Sequence, residues 1–225
     1  MPVSSIASFL APRLQWPEVN EPLRASIIDD VDGGLVDLWE LSPLRIEDNE
    51  QHTEGIIDRL FPGNPLLCAG RHRFRFDTKP REGWRGELAE RQFMVPSPMS
   101  AIRGRTKTGE RSKHTLENTG PRRFLICEFD TGSIDDHAAL LIHLAGYAPL
   151  VLAVHSGNKS LHGWFYVHGE PDTKVERFFR YAVSLGSDRA TWTRSQFVRM
   201  PDGVRDTGQR QAVYFFNPTP VEKIA

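Results

Sequence analysis

The sequence predicts an α+β protein whose second half is a split β-α-β sheet, and three observations predict it. From residue 122 onward, apolar runs of strand length alternate with stretches of helical period, in the order β-α-β-β-α-β. Turn residues bound those runs, as in Thr131-Gly132-Ser133 and His155-Ser156-Gly157-Asn158-Lys159. The composition, 39% hydrophobic and 25% charged over 225 residues, lets one chain bury most of its apolar surface.

The elements follow in order. Arg122-Arg123 leads into Phe124-Leu125-Ile126-Cys127-Glu128-Phe129-Asp130, a nearly continuous apolar strand that ends in two carboxylates. Ser133 and Asp136 have capping-box spacing and open a helix to about Ala145, with Gly146 as its C′ residue. Leu150 to Val154 and Leu161 to Val167 are two more strands, joined by a turn of hairpin length. Pro171-Asp172 opens a second helix, whose Val175, Phe178, Phe179, Ala182 and Val183 share a face and whose end is Gly186. Gln196 to Met200 and Ala212 to Phe216 are further short strands.

Upstream, residues 1–60 read as an acidic, mainly helical cap. Ile27, Leu35, Leu38, Ile56, Ile57 and Leu60 have roughly helical spacing, and Pro17, Pro22 and Pro43 break it. Residues 61–121 read as a basic α/β module. In it Phe74 and Phe76 alternate with Arg73 and Arg75, as in a strand with one wet face, and residues 102–121 form a long polar loop. With 122–225 these make one folded unit. The net charge of −1 hides an asymmetry: 1–70 carries −8, 71–123 carries +8 and 124–225 carries −1. A basic middle suits a nucleic-acid backbone or a triphosphate, unless it packs against the acidic segment.

No apolar run approaches ~18 residues, so no membrane span is expected. No basic stretch with an apolar core opens the chain as a secretory signal would. Cys68 and Cys127 read as reduced buried thiols, and the expected location is cytoplasmic. Cys68, His72 and His114 are too sparse for a four-ligand zinc site, so no zinc is predicted.

The chemistry concentrates in three places. Strand side chains alternate, so Glu128 and Asp130 point one way and Phe129 the other. Two carboxylates on one face of a buried strand repel unless a cation sits between them, and hard oxygen ligands suit Mg²⁺ or Mn²⁺. An acid-x-acid pair at a solvated strand end is the plainer alternative. Ser160 and His162 share a face of the hairpin strand, with Lys159 just before them, a donor set for phosphate oxygens. Gly157-Asn158-Lys159-Ser160 lacks the upstream glycine of a phosphate-binding Walker loop. Asp188 follows a helix C-terminus, where a carboxylate opposes the macrodipole and needs local compensation. Arg194 and Arg199 follow, the latter between Val198 and Met200, where an Arg either snorkels or binds an anion.

The order acid-x-acid on a strand, Ser-x-His on a hairpin and Asp after a helix resembles the three motifs of the archaeo-eukaryotic primase superfamily. The stretch Asp188-Arg189-Ala190-Thr191-Trp192-Thr193-Arg194-Ser195-Gln196-Phe197-Val198-Arg199 is similar to the third motif and following strand of primase-polymerases of phage and mobile elements. The resemblance covers about residues 122–218. It implies a catalytic core with an RRM-like, ferredoxin-like sheet plus an N-terminal α/β module. It implies that Glu128, Asp130 and Asp188 hold two divalent ions, Mg²⁺ or Mn²⁺, about 3.5–4 Å apart. Lys159, Ser160, His162 and Arg199, with Arg194, would then anchor the triphosphate. The basic residues Arg103, Arg105, Lys107, Arg111 and Lys113 would track a single-stranded DNA template. Implied partners are a dNTP or NTP, that template, and a helicase domain or protein. The end at Val221-Glu222-Lys223-Ile224-Ala225 is abrupt enough for an excised domain. The sequence departs from the family in having Glu first in the acid-x-acid motif, where Asp is commoner.

Three other readings compete with a polymerase: a metal-dependent nuclease using the same acids, a non-catalytic module binding single strands on its sheet, and a plain structural domain. RNA-binding sheets of this topology expose aromatics where this chain has Glu, Asp, Ser and His. Trp84, Trp164 and Trp192 are read as core residues before base-stacking ones.

Overall fold

The computed structural model describes residues 15–223. Asn20 starts the first helix, α1 (Glu21–Val31), its side chain accepting the Leu23 N–H at 3.1 Å. α2 (Leu35–Glu40) and α3 (Thr53–Leu60) follow. Of the expected apolar face, Ile27, Leu38, Ile56, Ile57 and Leu60 are buried and Leu35 is half-buried. The expected 1–60 cap divides between two cores, because Ile27 and Leu38 belong to one and the α3 residues to the other. Residues 1–14 of that cap lie outside the described residues.

β1 (Leu66–His72) and β2 (Arg75–Pro80) form a hairpin, and β3 (Phe93–Met94) pairs with β1 on its other side. Of the expected alternating strand over Arg73–Phe76, Arg75 and Phe76 do open β2. Arg73 and Phe74 are the tip between β1 and β2, and Phe74 is 86% exposed. β1, unread in the sequence, is buried from Leu67 to Gly70 on both faces and so shows no alternation. The expected loop at 102–121 contains a hairpin of two very short strands, β4 (Gly104–Arg105) and β5 (Arg111–Ser112), too short to leave a periodic trace. Beyond it, Asn118 ties the loop together, accepting from Thr115 N at 2.9 Å and donating to the Ala101 and Lys113 carbonyls.

The second half carries β6 (Phe124–Phe129), α4 (Ile134–Ala145), β7 (Leu150–His155), β8 (Leu161–Tyr166), α5 (Asp172–Ser184), β9 (Val198–Arg199), β10 (Val213–Phe216) and α6 (Thr219–Glu222). The capping box forms: Ser133 Oγ accepts the Asp136 N–H at 3.1 Å and Asp136 accepts the Ser133 N–H at 2.9 Å. Gly186 closes α5 at φ +100°, which a side chain would strain, whereas Gly146 keeps a right-handed φ of −70°.

The chain is α+β, with antiparallel sheets. One sheet has the order β10-β7-β8-β6, so β8 lies between β6 and β7 as a split β-α-β unit requires. A ferredoxin-like sheet would set its last strand beside its first. Here β10 pairs with β7, and the outer edge of β6 is met by a 3₁₀ turn, Arg189–Trp192. Thr191 Oγ1 donates to the Ile126 carbonyl at 2.7 Å across that edge. β9 joins the other sheet, of order β2-β1-β3-β9, so the expected boundary at 121/122 does not separate the sheets.

The two faces of the β6 sheet serve two cores. Leu125, Cys127, Phe129, Leu161 and Phe165 pack against α1, α2, α4 and α5. Phe124, Ile126, Trp164 and Tyr166 pack toward α3 and the second sheet. Gly163 lets α4 close on β8, since a Cβ there would run into Leu141. Trp84 and Trp164 are core residues, and Trp192 is half-buried against Phe179. Both cysteines are buried, and burial pushes the Cys68 thiol up to about 12. None of the described helices is long and apolar enough to cross a membrane.

The acidic and basic segments meet at Arg81. Its fully buried guanidinium pairs with Glu54 at 2.6 Å and Asp58 at 2.8 Å, both on α3. Arg81→Ala strands two acids beside a vacated buried site. It is expected to lower the unfolding free energy by about 3 kcal/mol in a urea titration, and Arg81→Lys is expected to restore little, because one ammonium cannot bridge both carboxylates as the guanidinium fork does.

Candidate functional site

β6 runs against β8 without a register shift, from Phe124↔Tyr166 to Phe129↔Leu161, and this sets Glu128 directly opposite His162. Both side chains continue the face that carries Phe124, Ile126, Trp164 and Tyr166. They stand at the end of the strands, where the core between the sheets gives way to polar groups. His162 Nε2 lies 3.2 Å from Glu128 Oε1 and 3.2 Å from Ser160 Oγ. His162 and Ser160 are buried, and Glu128 is partly open.

Burial pushes the Glu128 carboxyl upward, but His162, then Arg199 and the Ser160 hydroxyl, outweigh it and hold the group below the usual glutamate range. Glu128 is therefore a carboxylate at neutral pH. With His162 Nε2–H donating to it, His162 Nδ1 is left buried without a hydrogen-bond partner among the described residues.

The outer edge of β6 brings in Asp188, whose backbone N–H donates to the Glu128 carbonyl at 2.8 Å. Its side chain is exposed and caps the 3₁₀ turn, Oδ1 accepting the Ala190 N–H at 2.9 Å. That cap is the local compensation a carboxylate after α5 needs, so its position alone does not require a metal. Asp130 lies one residue past β6 and is exposed.

Arg199 comes from β9 of the second sheet and is half-buried. Its guanidinium lies 4.7 Å from the centre of the Phe93 ring and within electrostatic reach of Glu128. Lys159 is exposed on the turn before Ser160. Arg194 is not part of this group. It donates to the Gly120 carbonyl at 3.0 Å beside Arg122, toward the opposite end of β6. Arg205, which the sequence reading passed over, donates to the Ser156 carbonyl at 3.3 Å from the Gly203–Arg210 turn folded onto the β7–β8 hairpin. The glycines at 203 and 208 mark a turn in the sequence, but nothing local says what it lies against.

Of the predicted template-binding residues, Arg105 and Arg111 face each other across the β4–β5 hairpin, and Lys107 lies in its turn. With Arg103 they are exposed, and no carboxylate lies within ion-pair distance of these four among the described residues. Lys113 is instead paired with Asp77 at 2.6 Å.

Among the described residues, no three His, Cys, Asp or Glu side chains are gathered as a metal-holding group. The donor chemistry still suits a hard cation: one ionised glutamate, held on one oxygen by His162, and two exposed aspartates. Mg²⁺ commonly takes one or two carboxylates and completes its shell with water and substrate phosphates, so a closed three-ligand cage is not required.

No protein-family model, curated protein or solved structure matches the chain.

The two acids of the β6 motif should separate in a stability measurement. Glu128→Ala removes the ionised acceptor of buried His162, leaving only the Ser160 hydroxyl, and is expected to cost about 1–3 kcal/mol in urea unfolding. Asp130→Ala, at an exposed position, is expected to stay within about 0.5 kcal/mol of the parent.

Proposed function

We propose that this chain is the catalytic domain of a metal-dependent nucleotidyl transferase of the primase-polymerase kind, joining nucleoside triphosphates to a 3′-hydroxyl on a single-stranded template. One observation carries the reading. The three segments whose order resembles the primase motifs meet at one end of β6, through the Glu128–His162 pair and the Asp188 N–H on the Glu128 carbonyl. An Arg from the opposite sheet stands within electrostatic reach of the same point.

The chain's own residues would divide the work. Asp130, two residues on from Glu128, and Asp188, whose backbone N–H meets the Glu128 carbonyl, are exposed and would hold Mg²⁺ or Mn²⁺, and ionised Glu128 would add negative charge. A bound ion would lower the pKa of the attacking hydroxyl and neutralise the departing pyrophosphate. His162 fixes the Glu128 carboxylate and is fixed by it, which leaves Arg199 and Lys159 as the cations available to the triphosphate. Arg194 has no part in this scheme, because it sits toward the far end of β6. The contribution of the protein is placement and charge, the two terms that dominate phosphoryl transfer.

Primer extension on a defined single-stranded template tests the reading, with dNTPs against NTPs and Mg²⁺ against Mn²⁺. Extension that requires the ion is expected. Asp130→Ala and Asp188→Ala should each lower it by about 100-fold or more, with the fold intact by circular dichroism. Cleavage of the template without any triphosphate would instead support a nuclease. Full extension by Asp130→Ala would sink the metal-site assignment.

A further inference from the structure

The outer face of the second sheet carries a row of aromatics that the scheme above does not use. Register aligns Phe76 on β2 with Gly70 on β1, Gly70 with Phe93 on β3, and Phe93 with Arg199 on β9. These four residues therefore form one line across four strands. Gly70 is small for a reason: a Cβ there would stand 2.8 Å from the Phe76 ring, so the ring lies over the strand. Phe197, two residues before Arg199, closes the gap with ring centroids 5.0 Å from both Phe76 and Phe93. His114 lies 4.4 Å from Phe76 at one end, and Arg199 lies 4.7 Å from Phe93 at the other.

This row is not a third core. Each of the three phenylalanines and His114 is only half-buried, although Phe76 also leans on a small cluster of Cys68, Val95 and Met99. At the tip of the same hairpin, Phe74 is 86% exposed beneath the Arg73 guanidinium, 4.7 Å from its ring centre. Half-open rings in line, with arginines at the row's end and at the hairpin tip, offer π-faces to unpaired bases and charge to phosphates. They offer little to a duplex, whose bases are already stacked. His114 is held neutral by burial and donates to the Ser195 carbonyl, so it acts here as a flat face and not as a charge.

We propose that this row is a stacking platform for single-stranded nucleic acid. Phe76, Phe197 and Phe93 take successive bases, and the exposed cations of the β4–β5 hairpin hold the backbone. Arg199 is the last residue of the row and stands within electrostatic reach of Glu128, so the platform leads a strand toward the site. The proposal rests on the nucleotidyl-transfer reading only for that direction. Binding itself needs neither metal nor triphosphate.

The test is fluorescence anisotropy of a labelled oligo(dT) without divalent ions or nucleotides. Phe197→Leu and Phe93→Leu keep apolar bulk but lose the ring, and each is expected to weaken binding by about tenfold; Phe93→Tyr should keep it. Phe74→Ala, at an exposed position, should weaken binding with an unchanged thermal midpoint. Binding as tight in all of these variants as in the parent, while Arg105→Ala and Arg111→Ala weaken it, would overturn the proposal in favour of charge alone. Equal affinity for a duplex of the same length, or no binding of oligo(dT) by the parent chain, would also overturn it. Tight, ring-dependent binding in a protein that never extends a primer would refute the polymerase reading and leave the platform standing.

Discussion

The pairing of β6 with β8 is the constraint on which the rest of the molecule depends. Every residue of one strand meets one residue of the other, with no bulge between Phe124 and Phe129. A slip by one position would exchange the faces of every side chain. Leu125, Cys127 and Phe129 would leave the helical layer, and Phe124 and Ile126 would leave the layer between the sheets. The Glu128–His162 contact would be lost in the same step. Two apolar cores therefore enforce the register that places the polar pair, and the pair adds its own cost to any alternative, because a buried imidazole without an acceptor is unfavourable.

That pair sits where it does because the cores end there. Along β6 the face toward the second sheet reads Phe124, Ile126, Glu128, and along β8 it reads Tyr166, Trp164, His162. The change from aromatic and aliphatic to ionisable happens at the same rung on both strands. On the outer edge a fifth strand would have bonded Glu128 into the ladder on both sides. A 3₁₀ turn takes that place, and among the described residues the Asp188 N–H and the Thr191 hydroxyl bond to that edge. The short turn leaves two aspartates exposed near the end of an otherwise buried strand. A continuous strand with its own side-chain ladder would not.

What could be read from the sequence follows from the range of the interactions involved. The elements from 124 to 186 were legible because their signals are local: a capping box at Ser133 and Asp136, a hairpin turn at 155–159, and a left-handed glycine at 186. The clustering of Ser160 with His162 was legible because strand periodicity alone sets it. β1 leaves no periodic trace because it is buried on both faces, and the β1–β2 tip at Arg73–Phe74 imitates a strand because Phe and Arg alternate across a turn. The partner of β10, the transfer of β9 to the other sheet, and the position of Arg194 are contacts between segments far apart in sequence. No local pattern encodes them. The same holds for the aromatic row, since Phe76, Phe93 and Phe197 carry no common motif and are joined only by register.

The charge asymmetry resolves in a similar way. Half of the idea that the basic segment packs on the acidic one is visible at Arg81 and Arg85, which reach Glu54 and Asp58 on α3. More of the basic side chains are satisfied within their own segment, as Lys79 and Arg91 are by Glu87 and Lys113 is by Asp77. What remains after both kinds of pairing is not spread evenly. Arg122 and Arg123 donate to the Trp192 and Leu60 carbonyls, Arg103, Arg105, Lys107 and Arg111 lie on or just before the β4–β5 hairpin, and Arg73 and Arg75 lie at the tip of β1–β2. A solvated basic surface has no reason to collect its unpaired charges on two hairpins, β1–β2 and the separate β4–β5 ribbon. The polyanion partner proposed above would give one, because such cations offset the repulsion between its phosphates and Glu128, Asp130 and Asp188.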